Sequence, residues 1–144
     1  YQPSRGLGDV YKRQVCAAVA LRAQQLMQER DIIGNVKRLA PRFAERVARM
    51  DRFPFIGNTR SVGMIGAMEF SSEPGSKAKF DPAHKIAARA VAVIQEHGVI
   101  LRALPGDIIG FCPPLVINGD ELDDMFDRVE AALDEFTATA ESLR

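Results

Sequence analysis

Arg102 lies in the segment Val99-Ile-Leu-Arg-Ala103, immediately before Leu104-Pro105-Gly106-Asp107, among positions that are otherwise almost all apolar. A guanidinium in such a setting either snorkels to water or presents its planar fork to a carboxylate. Arg60, ahead of the apolar run that starts at Val62, has the same two readings with less support, because loop arginines are common. The other reactive side chains offer less. His84 and His97 have no cysteine or acid partner at ligand spacing and read as surface or boundary histidines. Cys16 and Cys112 lack the basic neighbours that depress a thiol pKa, so packing as small hydrophobes is the expectation. Glu69 closes a strand and reads as structural. No glycine-rich phosphate cradle, Ser-His-Asp arrangement or metal-ligand spacing occurs, so the sequence offers no catalytic residue, no cofactor-binding residue and no metal ligand.

Composition narrows the classes. The chain has 144 residues, 19 Lys+Arg against 19 Asp+Glu, and 47% hydrophobic residues, which is material for one globular domain. Zero net charge gives no electrostatic reason to expect nucleic acid or an acidic membrane surface as partner. No apolar run approaches the roughly 20 residues that span a bilayer. Two cysteines far apart suit a reducing, cytoplasmic setting.

Periodicity supplies the elements that must position Arg102. The alanine-rich run from Val15 to about Glu29 reads as a helix. Asp31 is placed to cap a second helix, on which Ile32, Val36, Leu39, Phe43, Val47 and Met50 form one stripe, with Pro41 expected to kink it. Val62–Phe70 reads as one strand bent at Gly63 and Gly66. After a loop, Asp81-Pro82 opens a helix that stops at Gly98. Val99–Ala103 and Ile108–Cys112 read as a hairpin with a Pro-Gly turn, followed by a brief strand, Leu115–Ile117. Asn118 and Glu121 resemble a capping box at the start of a last helix, which carries Leu122, Phe126, Val129, Leu133 and Phe136 and is expected to fray after Thr137. The sum is an α+β fold, a two-layer α/β sandwich: a small, mostly antiparallel sheet with helices on one side, behind a long helical segment.

The first 14 residues stand apart. They are polar, have no period and hold both tyrosines, and Asp9-Val-Tyr-Lys-Arg-Gln14 can be written as the codons GAT GTG TAT AAG AGA CAG. That string resembles a translated transposase mosaic-end adapter, so residues 1–14 read as a non-native or disordered tail ahead of a domain at 15–144. Setting the tail aside removes Arg5, Lys12, Arg13 and Asp9 and leaves 16 basic against 18 acidic residues, a net charge of −2.

Three linked motifs carry a family resemblance. Arg60-Ser-Val-Gly63-Met-Ile-Gly66-Ala-Met-Glu69, then Gly98-Val-Ile-Leu-Arg102-Ala-Leu-Pro-Gly106-Asp107, then Cys112-Pro-Pro-Leu-Val-Ile117 before an acidic helix, resemble the C-terminal small domain of class III aminotransferases. Within these pyridoxal-phosphate enzymes of fold type I, the nearest likeness is to the ω-amino acid:pyruvate transaminases. It covers Val15 to Phe136, including the alanine-rich helix that leads into the small domain.

The resemblance implies ping-pong amino transfer from an ω-amino acid or amine to pyruvate or a similar keto acid, in a homodimeric parent that uses pyridoxal 5'-phosphate. It places Arg102 at the family position that grips the substrate α-carboxylate and can swing out for donors without one. The family's Schiff-base lysine, ring-facing aspartate, stacking aromatic and phosphate loop have no counterpart, and the neighbours of Lys12 do not match the lysine motif. The fragment is thus expected to recognise substrate carboxylate and to be inactive alone. The competing reading is a free-standing α+β domain that binds a small molecule or a partner protein.

Overall fold

The chain divides into two units, Tyr1–Gly34 and Asn35–Arg144, and the hydrophobic stripes at helical and strand spacing build the core of the second. The computed structural model describes residues 7–144, with side chains from Gln14 onward. The first unit carries helix α1, Leu7–Glu29, which begins well ahead of the expected Val15 and ends where the sequence places its end. Of the tail expected at residues 1–14, residues 1–6 lie outside the described residues and residues 7–14 fall on α1. Cys16 on α1 is exposed among the described residues, where packing was expected. Asp31 has φ +47, left-handed backbone rather than the extended backbone usual for a capping residue.

Helix α2, Ile32–Ala48, runs through Pro41 and tightens into a 3₁₀ turn over Arg49–Arg52. Pro41 and Lys37 both sit on its exposed side, so water can take the Lys37 carbonyl that the proline cannot serve. The segment expected to be one strand is a hairpin. Strand β1, Ile56–Val62, and β2, Ile65–Phe70, pair antiparallel, with Val62 opposite Ile65 and a two-residue turn of Gly63 and Met64 between them. Gly63 has φ +58, so the glycine marks a chain reversal, where the sequence reading took it for a bend. Arg60 therefore belongs to a strand and not to a loop.

Asp81 caps as expected, accepting from the Ala83 amide, but the element it opens is the single 3₁₀ turn Pro82–His84. Lys85, at φ +48, ends that turn, and helix α3 is Ile86–Glu96. Strands β3, Arg102–Leu104, and β4, Ile108–Phe111, form the predicted hairpin, shorter at its outer end than expected. Leu115–Ile117 is no strand. After Pro113 and Pro114 the Asn35 side-chain amide donates to the carbonyls of Leu115 and Ile117, 2.9 Å each, and replaces a ladder. Helix α4, Gly119–Ser142, has the full Asn118–Glu121 capping box and continues past Thr137 to Ser142, anchored by buried Ala140.

The sheet order is β1-β2-β4-β3, antiparallel throughout. One face carries the core: Met68, Phe70, Ile109 and Phe111 meet Phe43 and Val47 of α2, Ile94 of α3 and Phe126, Leu133 and Phe136 of α4. Phe126 stacks on Phe111 and meets Phe43 edge-on. Gly66 is where α2 comes closest, since a Cβ there would lie 3.0 Å from Phe43 and Val47. α4 is also laced to α2 and the 3₁₀ turn by an ordered series of pairs, Arg42–Asp123, Arg46–Asp127, Arg49–Glu130 and Arg52–Asp134. Both series ascend together, so the two segments run side by side in the same direction.

Candidate functional site

Alternation along the strands fixes what the opposite face of the sheet presents. Arg60 and Val62, then Ile65, Ala67 and Glu69, then Ile108 and Gly110, and finally Arg102 and Leu104 point away from the core. Val62 is 84% and Ile65 64% exposed, so this is an uncovered apolar surface in the described residues. The register sets Arg60, Ala67, Gly110 and Arg102 in one row across all four strands. With strands about 4.8 Å apart, the two arginine backbones stand about 14 Å apart over a floor of small residues. An open cavity of about 330 Å³ lies on this floor, lined by Arg60, Val62, Ile65, Ala67, Gly110 and Cys112.

The two arginines differ in how they are engaged. Arg60 is hydrogen-bonded and ion-paired to Glu69, and Lys79 approaches the other oxygen of that carboxylate at 3.5 Å. The Arg60 hydrogen bond holds the Glu69 carboxyl below the usual glutamate range; burial opposes this, and the charges of Arg60 and Lys79 assist it. The Arg102 side chain is exposed and makes no hydrogen bond or ion pair with any described residue. Its guanidinium is thus available to an anion, and it stands beside a glycine on an apolar floor. Leu104 and the turn beyond it hold Gly106 at φ +82 and Asp107 at φ +57.

The remaining candidates stay apart from this face or add little to it. Cys112 is exposed at its edge, against the packing role expected. His97 lies elsewhere and pairs with Glu135, Nε2 to Oε2 3.0 Å, an acid 38 residues away that spacing rules cannot detect. His84 Nδ1 is buried without a hydrogen-bond partner. No group of three potential metal ligands occurs among the described residues. The Arg60–Glu69–Lys79 chain went unread in the sequence. Its signal was there: a two-residue glycine turn at Gly63 would have put Arg60 and Glu69 on neighbouring strands.

The family model described as Aminotransferase class-III matches residues 7–133. The chain belongs to the class-III aminotransferases. It is 36% identical over 124 residues to a diaminobutyrate–2-oxoglutarate transaminase of Halomonas elongata, covering 85% of this chain and 26% of that protein. An omega-transferase from Vibrio fluvialis JS17 superimposes with a TM-score of 0.81 at 34% identity, over 87% of this chain and 30% of that one. A PLP-bound aminotransferase mutant from Vibrio fluvialis gives 0.80 at 34%, over 85% and 27%. The chain thus spans between a quarter and a third of the length of these aminotransferases.

Proposed function

We propose that this class-III aminotransferase chain is the substrate-carboxylate-recognising part of a pyridoxal-phosphate transaminase. The parent enzyme moves an amino group from an ω-amino acid or amine to pyruvate or a similar keto acid. The observation that carries this is the contrast on the open sheet face: Arg60 is neutralised by Glu69, while Arg102 has no partner. A guanidinium grips a carboxylate through two parallel charge-assisted hydrogen bonds, and the apolar floor beside it strengthens them by lowering the local dielectric. β3 is an edge strand, so the Arg102 side chain can also turn outward when the donor has no α-carboxylate.

The described residues alone do not fit the coenzyme. A Schiff-base lysine needs a desolvated amine of depressed pKa, whereas Lys37, Lys77, Lys79 and Lys85 are all exposed. When bound in the parent, pyridoxal phosphate supplies the electron sink; Arg102 orients the keto acid for it. The chain by itself has no transaminase activity in this reading, the parent is a cytoplasmic homodimer, and nucleic acid and membrane are not partners. The presence of an apolar face and a family match across 7–133 supports a part of a larger enzyme over a free-standing binding domain.

The test is Arg102→Ala in the full-length parent. Pyruvate and alanine are expected to lose far more kcat/KM than an amine donor without a carboxylate. Equal loss for both overturns the carboxylate role.

A further inference from the structure

The hairpin that carries Arg102 is weakly supported at its tip. β3 has three residues and pairs only with β4. Beneath the turn lies an open cavity of about 370 Å³, lined among others by Lys79, Phe80, Lys85, Ala103, Leu104 and Gly106. The tip therefore has no packed floor and has room to sink. Two polar ties hold it: the Phe70 amide donates to the Asp107 carbonyl at 2.9 Å, and Lys79 Nζ donates to the Gly106 carbonyl at 3.2 Å.

Lys79 is itself anchored at both ends. Its carbonyl accepts from Ser72 Oγ at 3.2 Å, and the neighbouring Ala78 carbonyl accepts from Ser71 Oγ at 2.9 Å and from the Ser72 amide at 3.0 Å. Its ammonium lies 3.5 Å from Glu69 Oε2, and that carboxylate is locked by Arg60. A continuous polar chain, Arg60–Glu69–Lys79–Gly106, thus crosses from β1 to the turn. A charged donor held by a paired acid makes a stronger tie than a neutral one.

We propose that Lys79 is a positioning residue for Arg102: it props the β3–β4 turn above the cavity and so fixes where the guanidinium meets the substrate carboxylate. This rests on Arg102 as the carboxylate residue. Loss of the prop lets the tip move on its remaining backbone tie, and the Arg102 strand moves with it.

The test uses the complete 144-residue chain, ¹⁵N-labelled, as wild type, Lys79→Met and Lys79→Arg. Lys79→Met is expected to speed amide hydrogen exchange at Phe70 roughly tenfold and to loosen the Gly106 and Arg102 amides in the heteronuclear NOE, with Met68 in the same strand unchanged. Lys79→Arg, which can reach both acceptors, is expected to restore both. In a pyruvate titration followed at Arg102 Nε, Lys79→Met binds several-fold more weakly. Unchanged Phe70 exchange and Arg102 NOE in Lys79→Met, or failure of Lys79→Arg to restore them, overturns the positioning role. A wild-type chain whose Arg102 Nε does not respond to pyruvate overturns the carboxylate reading instead, and the amide measurements still decide whether Lys79 holds the turn.

Discussion

Gly110 stands opposite Arg102 in the β3–β4 ladder, and a Cβ on it would come within 3.3 Å of Leu104 Cδ1. The atom in the way is the end of a flexible, 36% exposed side chain, so an alanine can be accommodated by a small rotation. Gly110→Ala should change stability by less than about 1 kcal/mol. Gly110→Val puts a branched side chain on the floor beside the guanidinium. It is expected to weaken pyruvate binding several-fold relative to wild type, read from the Arg102 Nε shift, while chemical denaturation stays near wild type. Normal pyruvate binding in Gly110→Val means that the small-residue floor is not part of the site.

Gly66 poses the opposite case. Its added Cβ would meet ring atoms of Phe43 and the Cγ2 of Val47 at 3.0 Å, and both residues are fully buried. Neither can retreat without moving α2 off the sheet. Gly66→Ala should lower stability by about 1–3 kcal/mol, the usual cost of overpacking, measured as a reduced urea midpoint with the slope unchanged.

The Glu69 carboxyl, held low by Arg60, links stability to pH. A group whose folded pKa is depressed contributes stability above its unfolded pKa and loses that contribution as pH falls through the folded value. The wild-type urea midpoint should therefore drop below about pH 4.3, the ordinary glutamate value, for this reason among others. Glu69→Gln should be less stable than wild type at neutral pH, and the gap should close on acidification. A gap that stays constant from neutral to acid pH contradicts the assignment of the pair.

The outcomes on these strands show what the sequence could and could not reveal. Asn118 with Glu121, Gly98 as a helix stop and Pro105-Gly106 as a turn were legible because each is a local signal with one geometric solution. The β1–β2 reversal was missed because Gly63 and Gly66 fit both a bent strand and a hairpin, and only the pairing of Val62 with Ile65 decides. Leu115–Ile117 looked like a strand because its apolar residues are β-formers; its carbonyls are taken instead by Asn35, 80 residues upstream. Arg102 could be singled out from its apolar context. Its lack of a partner, and Arg60's possession of one, depend on the register of four strands and could not be read in advance.

Glu130 is the clearest of these long-range relationships. Its side chain is 9% exposed and sits amid three arginines, 3.0 Å from Arg46, 3.1 Å from Arg49 and 3.3 Å from Arg52. Arg46 is 10% exposed, and its Nε and Glu130 Oε1 are buried without a hydrogen bond. This pair is therefore desolvated and incompletely satisfied, unlike the exposed rungs at Arg42 and Arg52. Arg46 keeps Asp127 when Glu130 is lost, and Glu130 keeps Arg49 and Arg52 when Arg46 is lost, so Glu130→Leu weakens a desolvated guanidinium without leaving it unpaired and should cost about 1–3 kcal/mol. Replacing both by apolar residues, Arg46→Met with Glu130→Leu, removes the desolvated and incompletely satisfied pair and extends the surface already formed by Phe126 beneath Arg46. The double variant is expected to be more stable than either single one, as measured by a double-mutant cycle in urea. Additive losses would mean that each side chain contributes separately, with no buried pair to break.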